Sequence, residues 1–440
     1  VTSTPIPPYA LPLPKSAEDI ARIHHERKPL ALERARRSPL LRDRLKHVDA
    51  ARLDDPREWR KIPLLTKEEL RALPSEVFYR DFCIADGGPP LEFWRSGGST
   101  GKPLFYPRSH EDLEYGTGGG FRRVWPCIGA RAGDTVHDAF PLGIHPIGQQ
   151  MARAAALEGI GTTWAGGGNT TPTALQIELI RDLRPTVLAG MSSYCLHLAN
   201  CATAAGTDLS ASSIRKVLVS AEPLTAAKRA KLERSFGARV YNCFGMTEGG
   251  VVACERDGAD AGDAMVAFTD LYLLEVIDRD SGEPVPEGEE GALVVTPLWS
   301  NTTTPFLRWL SGDIVAMRSQ PRTGDPWSVF PLLRHALRTE GFFKIRGVNL
   351  NHSDLEDFMF NDPQIRDFKA ELVTREALEL LRLLIEVPET IDRASFSREL
   401  RERVRRTFEI TVEIEILATG TLAAEFEKSI KAPRFADRRQ

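Results

Sequence analysis

From about residue 90 to residue 320 short apolar runs alternate with helical stretches. They are "DTVHDAF", "IGQQMARAAALEGI", "GTTWAG", "TALQIELIRDL", "TVLAG", "SYCLHLANCATAAG", "KVLVSAEP", "LTAAKRAKLERSFG" and "RVYNCFG". Strand followed by helix, repeated with Gly and Pro between, predicts a parallel sheet covered by helices, an α/β fold. Ligands of such sheets bind beyond the carboxyl ends of the strands, where "WAGGGNT", "SAEP" and "YNCFGMTEGG" stand here.

The character changes on either side. Before this region, "SAEDIARIHHERKPLALERARRSPLLRDRLKHV" carries apolar residues at helical spacing and reads as an amphipathic helix pair. Beyond Leu271, "LYLLEVID" and "ALVVTPL" flank a Gly/Pro turn and read as a hairpin. The closing segments "FKAELVT", "LRLLIEV" and "TVEIEIL" predict a small α+β domain. A chain of 440 residues with 42% hydrophobic content buries a large core in two or three folding units. The expected division is a large N-terminal part, 1–339, and a small C-terminal domain, 340–440. Within the first, 1–85 is a helical lead, 86–270 the α/β core and 271–339 a β-rich part.

With 57 basic against 61 acidic residues and a net charge of -4, nothing global draws the chain to nucleic acid or anionic membrane, so any phosphate site is local. The N-terminal arginine run is interleaved with acids and reads as a solvated helix face rather than a nucleic-acid stripe. Six scattered cysteines without a CxxC pair or zinc-ligand spacing predict a reduced, cytoplasmic chain and no structural metal. No apolar run reaches the roughly 20 residues that span a bilayer, and the N-terminus lacks the pattern of a signal peptide. The absence of an initiator Met suggests a processed or trimmed end.

One loop stands apart from this pattern. In "FWRSGGSTGKPLFYPRS" the eight residues Ser96 to Pro103 pack three glycines, three hydroxyl side chains and a lysine between aromatic flanks. Backbone amides opened by glycine, with Ser and Thr hydroxyls and a lysine, form a phosphate cradle. A Walker loop needs GxxxxGK opening a helix, but Gly97 to Gly101 is one residue short and Pro103 follows Lys102. On its own the stretch reads equally as a glycine-rich hairpin turn with no ligand.

Further stretches shift that balance. Ser96-Gly97-Gly98-Ser99-Thr100-Gly101-Lys102-Pro103 resembles the phosphate loop SSGTTGKP of the adenylate-forming enzymes, the superfamily of acyl-CoA ligases, peptide-synthetase adenylation domains and luciferases. Gly97 replaces its second serine and Ser99 its first threonine. Tyr241-Asn242-Cys243-Phe244-Gly245-Met246-Thr247-Glu248 resembles that superfamily's YxxYGxTE motif, with Phe244 keeping a stacking face where tyrosine is usual. The "PLLRDRL", "IPLLTKEELR", "VHDAFPLGIHPIG", "AGGGNT", "SAEP" and "KAPRFADRR" segments are similar to those of the phenylacetate-CoA ligase branch, from about residue 17 to the end.

The resemblance implies an ATP- and magnesium-dependent aryl-acid ligase, making an acyl-adenylate and then a CoA thioester. It implies that Ser96, Gly97, Gly98, Ser99, Thr100, Gly101 and Lys102 close over the β and γ phosphates, that Thr247 bonds the α-phosphate, and that Glu248 binds magnesium. Thr247 and Glu248 as a helix-capping pair is the plain alternative. Adenine would lie between the 221–223 backbone (Ala221, Glu222, Pro223) and Phe244, with Ser220, Asn242, Cys243, Gly245 and Met246 around the nucleotide. Asp313 and Arg338 resemble the pair that grips the ribose hydroxyls, though Asp313 also reads as a residue in a tight turn.

Lys431 aligns with the C-terminal lysine that bridges carboxylate and phosphate oxygens, with Lys428 as fallback; a surface lysine without a role is the alternative. Glu340 aligns with the acidic hinge about which the small domain rotates, and Gly347 with the thiol channel. The acyl pocket would be lined by Phe140, Ile144, His145, Gly190, Met191, Ser192, Ala221 and Gly245, the glycines leaving room for a flat ring. Burying an aryl face of about 100 Å² contributes roughly 2.5 kcal/mol. His145 either bonds a hydroxyl or amino substituent of a benzoate or packs as a core histidine. The acceptor is CoA, with a carrier-protein arm or an amine as alternative and a catalytically silent nucleotide-binding protein as a second; related ligases often pair as homodimers.

Overall fold

The structure, a computed structural model, describes residues 11–84, 89–96, 103–258, 264–338, 342–345, 348–375, 378–426 and 434–439. It is an α/β fold in two compact units. The first takes residues up to Asp134, then Leu142–Thr162 and Tyr241–Thr339; the second takes Thr135–Pro141, Thr163–Val240 and the chain from Glu340.

The first unit opens with the expected helix pair. Helix Ala17–Arg37 is capped by Ser16, whose hydroxyl accepts from the Asp19 N–H, with Glu18 and Asp19 in its first turn and three arginines in its last. Pro39 starts helix Pro39–Leu45. Leu32, Ala35, Leu41 and Leu45 from this pair pack with Trp59, Phe78, Phe82, Tyr106, Phe306 and Trp309 into one apolar core. A reciprocal capping box between Thr66 and Glu69 starts helix Lys67–Ala72 and presents Leu70 to that core.

An antiparallel run of strands carries the rest of this unit. Its order is Tyr272–Ile277, Glu290–Pro297, Trp309–Arg318, Leu332–Arg338, Ala264–Ala267, Gly250–Cys254 and Arg239–Met246. The predicted hairpin forms in register from Tyr272 opposite Pro297 to Ile277 opposite Ala292.

The stretch 110–127, "HEDLEYGTGGGFRRVWPC", is helical despite its glycines, with a π-helical turn at Thr117–Phe121. A Cβ on Gly120 would stand 2.3 Å from the Val251 carbonyl oxygen, so close packing rather than a turn explains that glycine. Helix Arg122–Cys127 also brings in Arg123. Its guanidinium is buried between Phe268 and Phe330 and held by both Asp270 oxygens, at 2.5 and 2.6 Å.

In the second unit strands Thr135–Asp138, Val187–Met191 and Lys216–Ser220 run parallel, Val136 beside Val187 and Val187 beside Lys216. Val187–Met191 is buried throughout, as a strand covered on both faces must be. Helices Thr173–Leu183 and Ser192–Ala204 lie between them along the chain, and helix Ala226–Phe236 follows the last strand, starting at the Thr225 cap and ending on Gly237 in the left-handed region.

The C-terminal portion of this unit is a second sheet, in the order Val412–Leu417, Leu378–Glu386, Asp367–Arg375 and Phe435–Asp437, with helices His352–Phe360 and Arg393–Phe408. It docks on helix Ala226–Phe236 through polar contacts. Lys231 Nζ donates to the carbonyls of Ile365 and Arg366, and the Ala227 N–H donates to Asp357. Beneath these lies a buried ion cluster, with Lys228 Nζ 2.7 Å and Arg434 Nε 3.3 Å from Glu356 Oε1, and Arg434 also on Asp367.

Removing one partner of a buried ion pair leaves an uncompensated charge. Asp270→Ala is therefore expected to lower stability by about 3–5 kcal/mol, whereas replacing Arg123 and Asp270 together with Met and Leu recovers most of the loss. Denaturant midpoints of the three proteins check this.

Candidate active site

Strand Glu92–Arg95 pairs antiparallel with Phe105–Arg108, Arg95 opposite Phe105. The two strands are clasped just beyond their paired ends. The Ser96 N–H donates to the Leu104 carbonyl at 2.8 Å, and the Leu104 N–H to Ser96 Oγ at 3.0 Å. Gly97, Gly98, Ser99, Thr100, Gly101 and Lys102 lie outside the described residues. A hairpin base of this kind is common to a plain turn and to a phosphate cradle, and what adjoins it decides between them.

Thr247 and Glu248 adjoin it. They form the turn between strands Arg239–Met246 and Gly250–Cys254, and no helix follows, which removes the capping role. Thr247 Oγ1 donates to the Arg95 carbonyl at 3.5 Å. The turn is held from below by Arg108, which is fully buried. Its Nη2 donates to the carbonyls of Thr247 (2.7 Å) and Glu248 (3.3 Å), and its Nη1 to Thr304 Oγ1 (2.8 Å) and Asn301 Oδ1. Burial lowers the Arg108 pKa, opposed by Asp112 and Glu248.

Glu248 is 5% exposed. Its Oε1 accepts from the Tyr106 hydroxyl at 2.9 Å and faces Lys67 Nζ at 3.5 Å, contacts that leave Oε2 unused among the described residues. Burial, then the charge of Glu248, raises the Tyr106 pKa, so the phenol stays a donor. Among the described residues no cluster of three His, Cys, Asp or Glu side chains stands ready for a metal. One carboxylate with an oxygen to spare suits instead a hard cation shared with substrate phosphates, the way magnesium is usually held.

Asp313 is corrected from a tight turn to a strand. It sits in Trp309–Arg318 directly opposite Arg338, after Gly312 at φ +84 and before a bulge at Ile314 and Val315. Its Oδ1 lies 3.1 Å from His335 Nε2, and the His335 ring packs on Phe244 with centroids 4.9 Å apart. The strand that carries Phe244 also carries Asn242, whose N–H donates to Glu255, and buried Cys243 opposite Cys254; Met246 packs against the N-terminal core. On the other side of Arg95, its N–H donates to the Ile144 carbonyl at 3.0 Å and its Nη1 lies 3.5 Å from His145 Nε2. The first unit thus brings Ser96, Thr247, Glu248, Ile144 and His145 around Arg95, and Asp313 close to Phe244 through His335.

In the second unit Gly190 and Met191 end a strand and Ser192 opens the following helix. The 220–223 loop turns sharply, with Ala221 at φ +67. Glu222 points inward: it accepts from Ser192 Oγ (3.0 Å), the Ser193 N–H (2.9 Å) and Ser193 Oγ (2.7 Å). Burial works to raise its pKa, but Lys228 and the two serines outweigh it and the carboxyl stays ionised below its usual range. Lys228 Nζ also reaches the Pro223 carbonyl, at 3.2 Å, so the loop that begins at Ser220 is tied at both faces. Phe140 is fully buried, and its N–H donates to Asp138 Oδ1 at 3.0 Å.

The structure gives the two pocket glycines a different reason from open space. A Cβ on Gly245 would stand 2.5 Å from the Gly250 carbonyl oxygen, and one on Gly190 3.0 Å from Cys195 Sγ. Both serve close packing. Glu340, Gly347, Lys428 and Lys431 lie outside the described residues. Lys67, Arg95, Tyr106, Arg108, Ser193 and His335 were not picked out by sequence reasoning. The one signal for Arg108 was an arginine closing the apolar run "PLFYPR".

The AMP-binding enzyme family matches residues 95–297. The phenylacetate-coenzyme A ligase of Thermus thermophilus is 30% identical over 312 residues, which cover 70% of this chain and 67% of that protein. That of Escherichia coli is 26% identical over 384 residues, 84% of each. A solved structure of 2-hydroxyisobutyryl-CoA ligase, in the postadenylation state in complex with R3-HIB-AMP, superposes with a TM-score of 0.81 at 21% identity, over 96% of this chain and 90% of that one.

Asp138 makes the burial in the second unit measurable. It is fully buried, its Oδ2 has no hydrogen-bond partner among the described residues, and desolvation raises its pKa well above the usual carboxylate range. The folded protein therefore keeps a proton that the unfolded chain releases near pH 4, and the corresponding stability is lost as pH rises from about 4. Asp138→Asn is expected to gain stability over the parent on going from pH 4 toward pH 7, by up to about 1.4 kcal/mol per pH unit. Denaturant unfolding at several pH values checks this.

Proposed function

The chain belongs to the AMP-binding enzymes, in the phenylacetate-CoA ligase family, and from that premise we propose how its own residues run the reaction. It is an AMP-forming acid–thiol ligase that uses ATP, magnesium and CoA. The first half-reaction joins a carboxylate oxygen of an aromatic acid to the α-phosphorus of ATP, breaks the α–β phosphoanhydride and releases pyrophosphate. In the second, the CoA sulfur attacks the acyl carbon, loses its proton and expels AMP.

The barrier in the first step is the approach of two anions, so the residues that matter hold phosphate charge and orient the carboxylate. In our reading the 96–102 loop takes the outer phosphates and Thr247 the α-phosphate. Magnesium, when bound, neutralises phosphate charge, and Glu248 is the residue that would hold it through Oε2. Asp313, with Arg338, takes the ribose, and adenine lies between the 221–223 backbone and Phe244. Phe140, Ile144, His145, Gly190, Met191, Ser192, Ala221 and Gly245 face the acid. Residues 340–440 act as the mobile domain, hinged at Glu340, delivering Lys431 for adenylation and the Gly347 loop for the thiol.

The observation that carries this reading is the contact of Thr247 with the Arg95 carbonyl, which sets the Thr247–Glu248 turn against the base of the glycine-rich loop. The finer parts of the proposal are a benzoate- or phenylacetate-type acid, a cytoplasmic setting and a homodimer, the last read by the mass of the native particle.

Aryl acid, ATP and CoA are expected to give AMP, pyrophosphate and a thioester found by mass spectrometry. Adenylate that accumulates unconsumed beside CoA would instead favour a carrier-protein arm or an amine as acceptor. Lys431→Ala is expected to slow acid-dependent pyrophosphate exchange by roughly a hundredfold or more, and exchange at the parental rate would shift the role to Lys428 or elsewhere.

A further inference from the structure

Arg95 is fixed through both polar groups of its backbone. Its N–H is given to Ile144 and its carbonyl receives the Thr247 hydroxyl. Its guanidinium reaches His145, with Nη1 3.5 Å from Nε2, so a ligand that runs from Thr247 to His145 meets it. That side chain is half-buried, and among the described residues no carboxylate stands within ion-pair distance of it.

Other shielded arginines of the same unit are compensated in one of two ways. Arg123 has Asp270, Arg308 has Glu275, Arg34 has Glu111 and Arg122 has Glu158, while Arg108 has four neutral acceptors. Among the described residues the side chain in hydrogen-bonding range of the Arg95 guanidinium is His145, through Nε2 at 3.5 Å. A guanidinium has five N–H donors and no acceptor, so in this contact the imidazole nitrogen must be the acceptor. What Arg95 leaves for a ligand is a planar fork of donors with a full positive charge. Its natural complement is a carboxylate, met by two parallel hydrogen bonds. An amino substituent, itself a donor, finds nothing to accept it at this guanidinium.

We propose that Arg95, with His145 beside it, recognises a second anionic group on the acid, so that the preferred substrates are aromatic acids carrying a further carboxylate. This rests on the ligase reading above. It narrows that reading's substrate class and assigns specificity to a residue just before the phosphate loop.

The test is acid-dependent pyrophosphate exchange by the full chain with the three benzenedicarboxylates, the aminobenzoates, benzoate and phenylacetate. At least one dicarboxylate is expected to exceed benzoate at least tenfold in kcat/KM. Arg95→Met is expected to erase that preference and Arg95→Lys to keep part of it, because the charge stays and the fork is lost. Benzoate or an aminobenzoate used as well as every dicarboxylate by the parent protein overturns the inference and leaves the ligase reading standing. The inference also fails if Arg95→Met weakens ATP binding equally with every acid, which would assign the guanidinium to the phosphates. Exchange with none of the acids overturns the ligase reading and this inference together. The parent selectivity needs no variant, so a poorly folded Arg95→Met does not protect the proposal.

Discussion

The first unit's site is organised by the burial of one cation. An arginine taken out of water is tolerated only where acceptors surround it, and Arg108 has four, from two separate stretches of chain. Satisfying it fixes the end of the hairpin that carries the glycine-rich loop, the turn of Thr247 and Glu248, and the segment Asn301 to Thr304. Asn301 shows how tightly this is specified: it holds φ +67, uncommon for a residue with a side chain, while bonding Arg108 through Oδ1 and the Glu248 carbonyl through Nδ2. Strain of that kind persists where neighbours over-determine a position.

Two carboxylates of the second unit show the converse, anions governed by their donors. Asp138 is fully buried and Glu222 half-buried, and their pKa values move in opposite directions. Asp138 has one backbone donor and no cation among the described residues, so desolvation prevails and it is held neutral. Glu222 has three donors and Lys228, so its charge survives burial. One is a silent acid beside Phe140; the other is a fixed anion that ties down the 220–223 loop.

Much of this was legible in the chain, because local pattern dictates it. The alternation of apolar runs and helices yielded the parallel strands 135–138, 187–191 and 216–220, and the Gly/Pro turn yielded the 272–297 hairpin. Helix 110–127 was not legible, since Gly120 answers to Val251, distant in sequence. Asp313 read as a turn residue because Gly312 precedes it; its partner across the strand pair is set by tertiary register. The supporting residues were hardest of all. Arg108, Tyr106 and His335 belong to no motif, and their roles arise from burial and from partners more than 20 residues away.

The docking of the C-terminal sheet on helix Ala226–Phe236 has a consequence of its own. That seam is fastened by Lys228, Glu356, Arg434 and Asp367 and by backbone carbonyls at 365 and 366, and the buried rings of Phe360 and Phe368 lie against Lys231 and Arg434. Parting an oily seam exposes surface that water resists. Parting a charged one lets each ion trade its counter-ion for hydration, so much of the lost attraction is replaced. In a joint built this way the ions fix how the two surfaces meet, while the rings between them supply adhesion that water cannot replace.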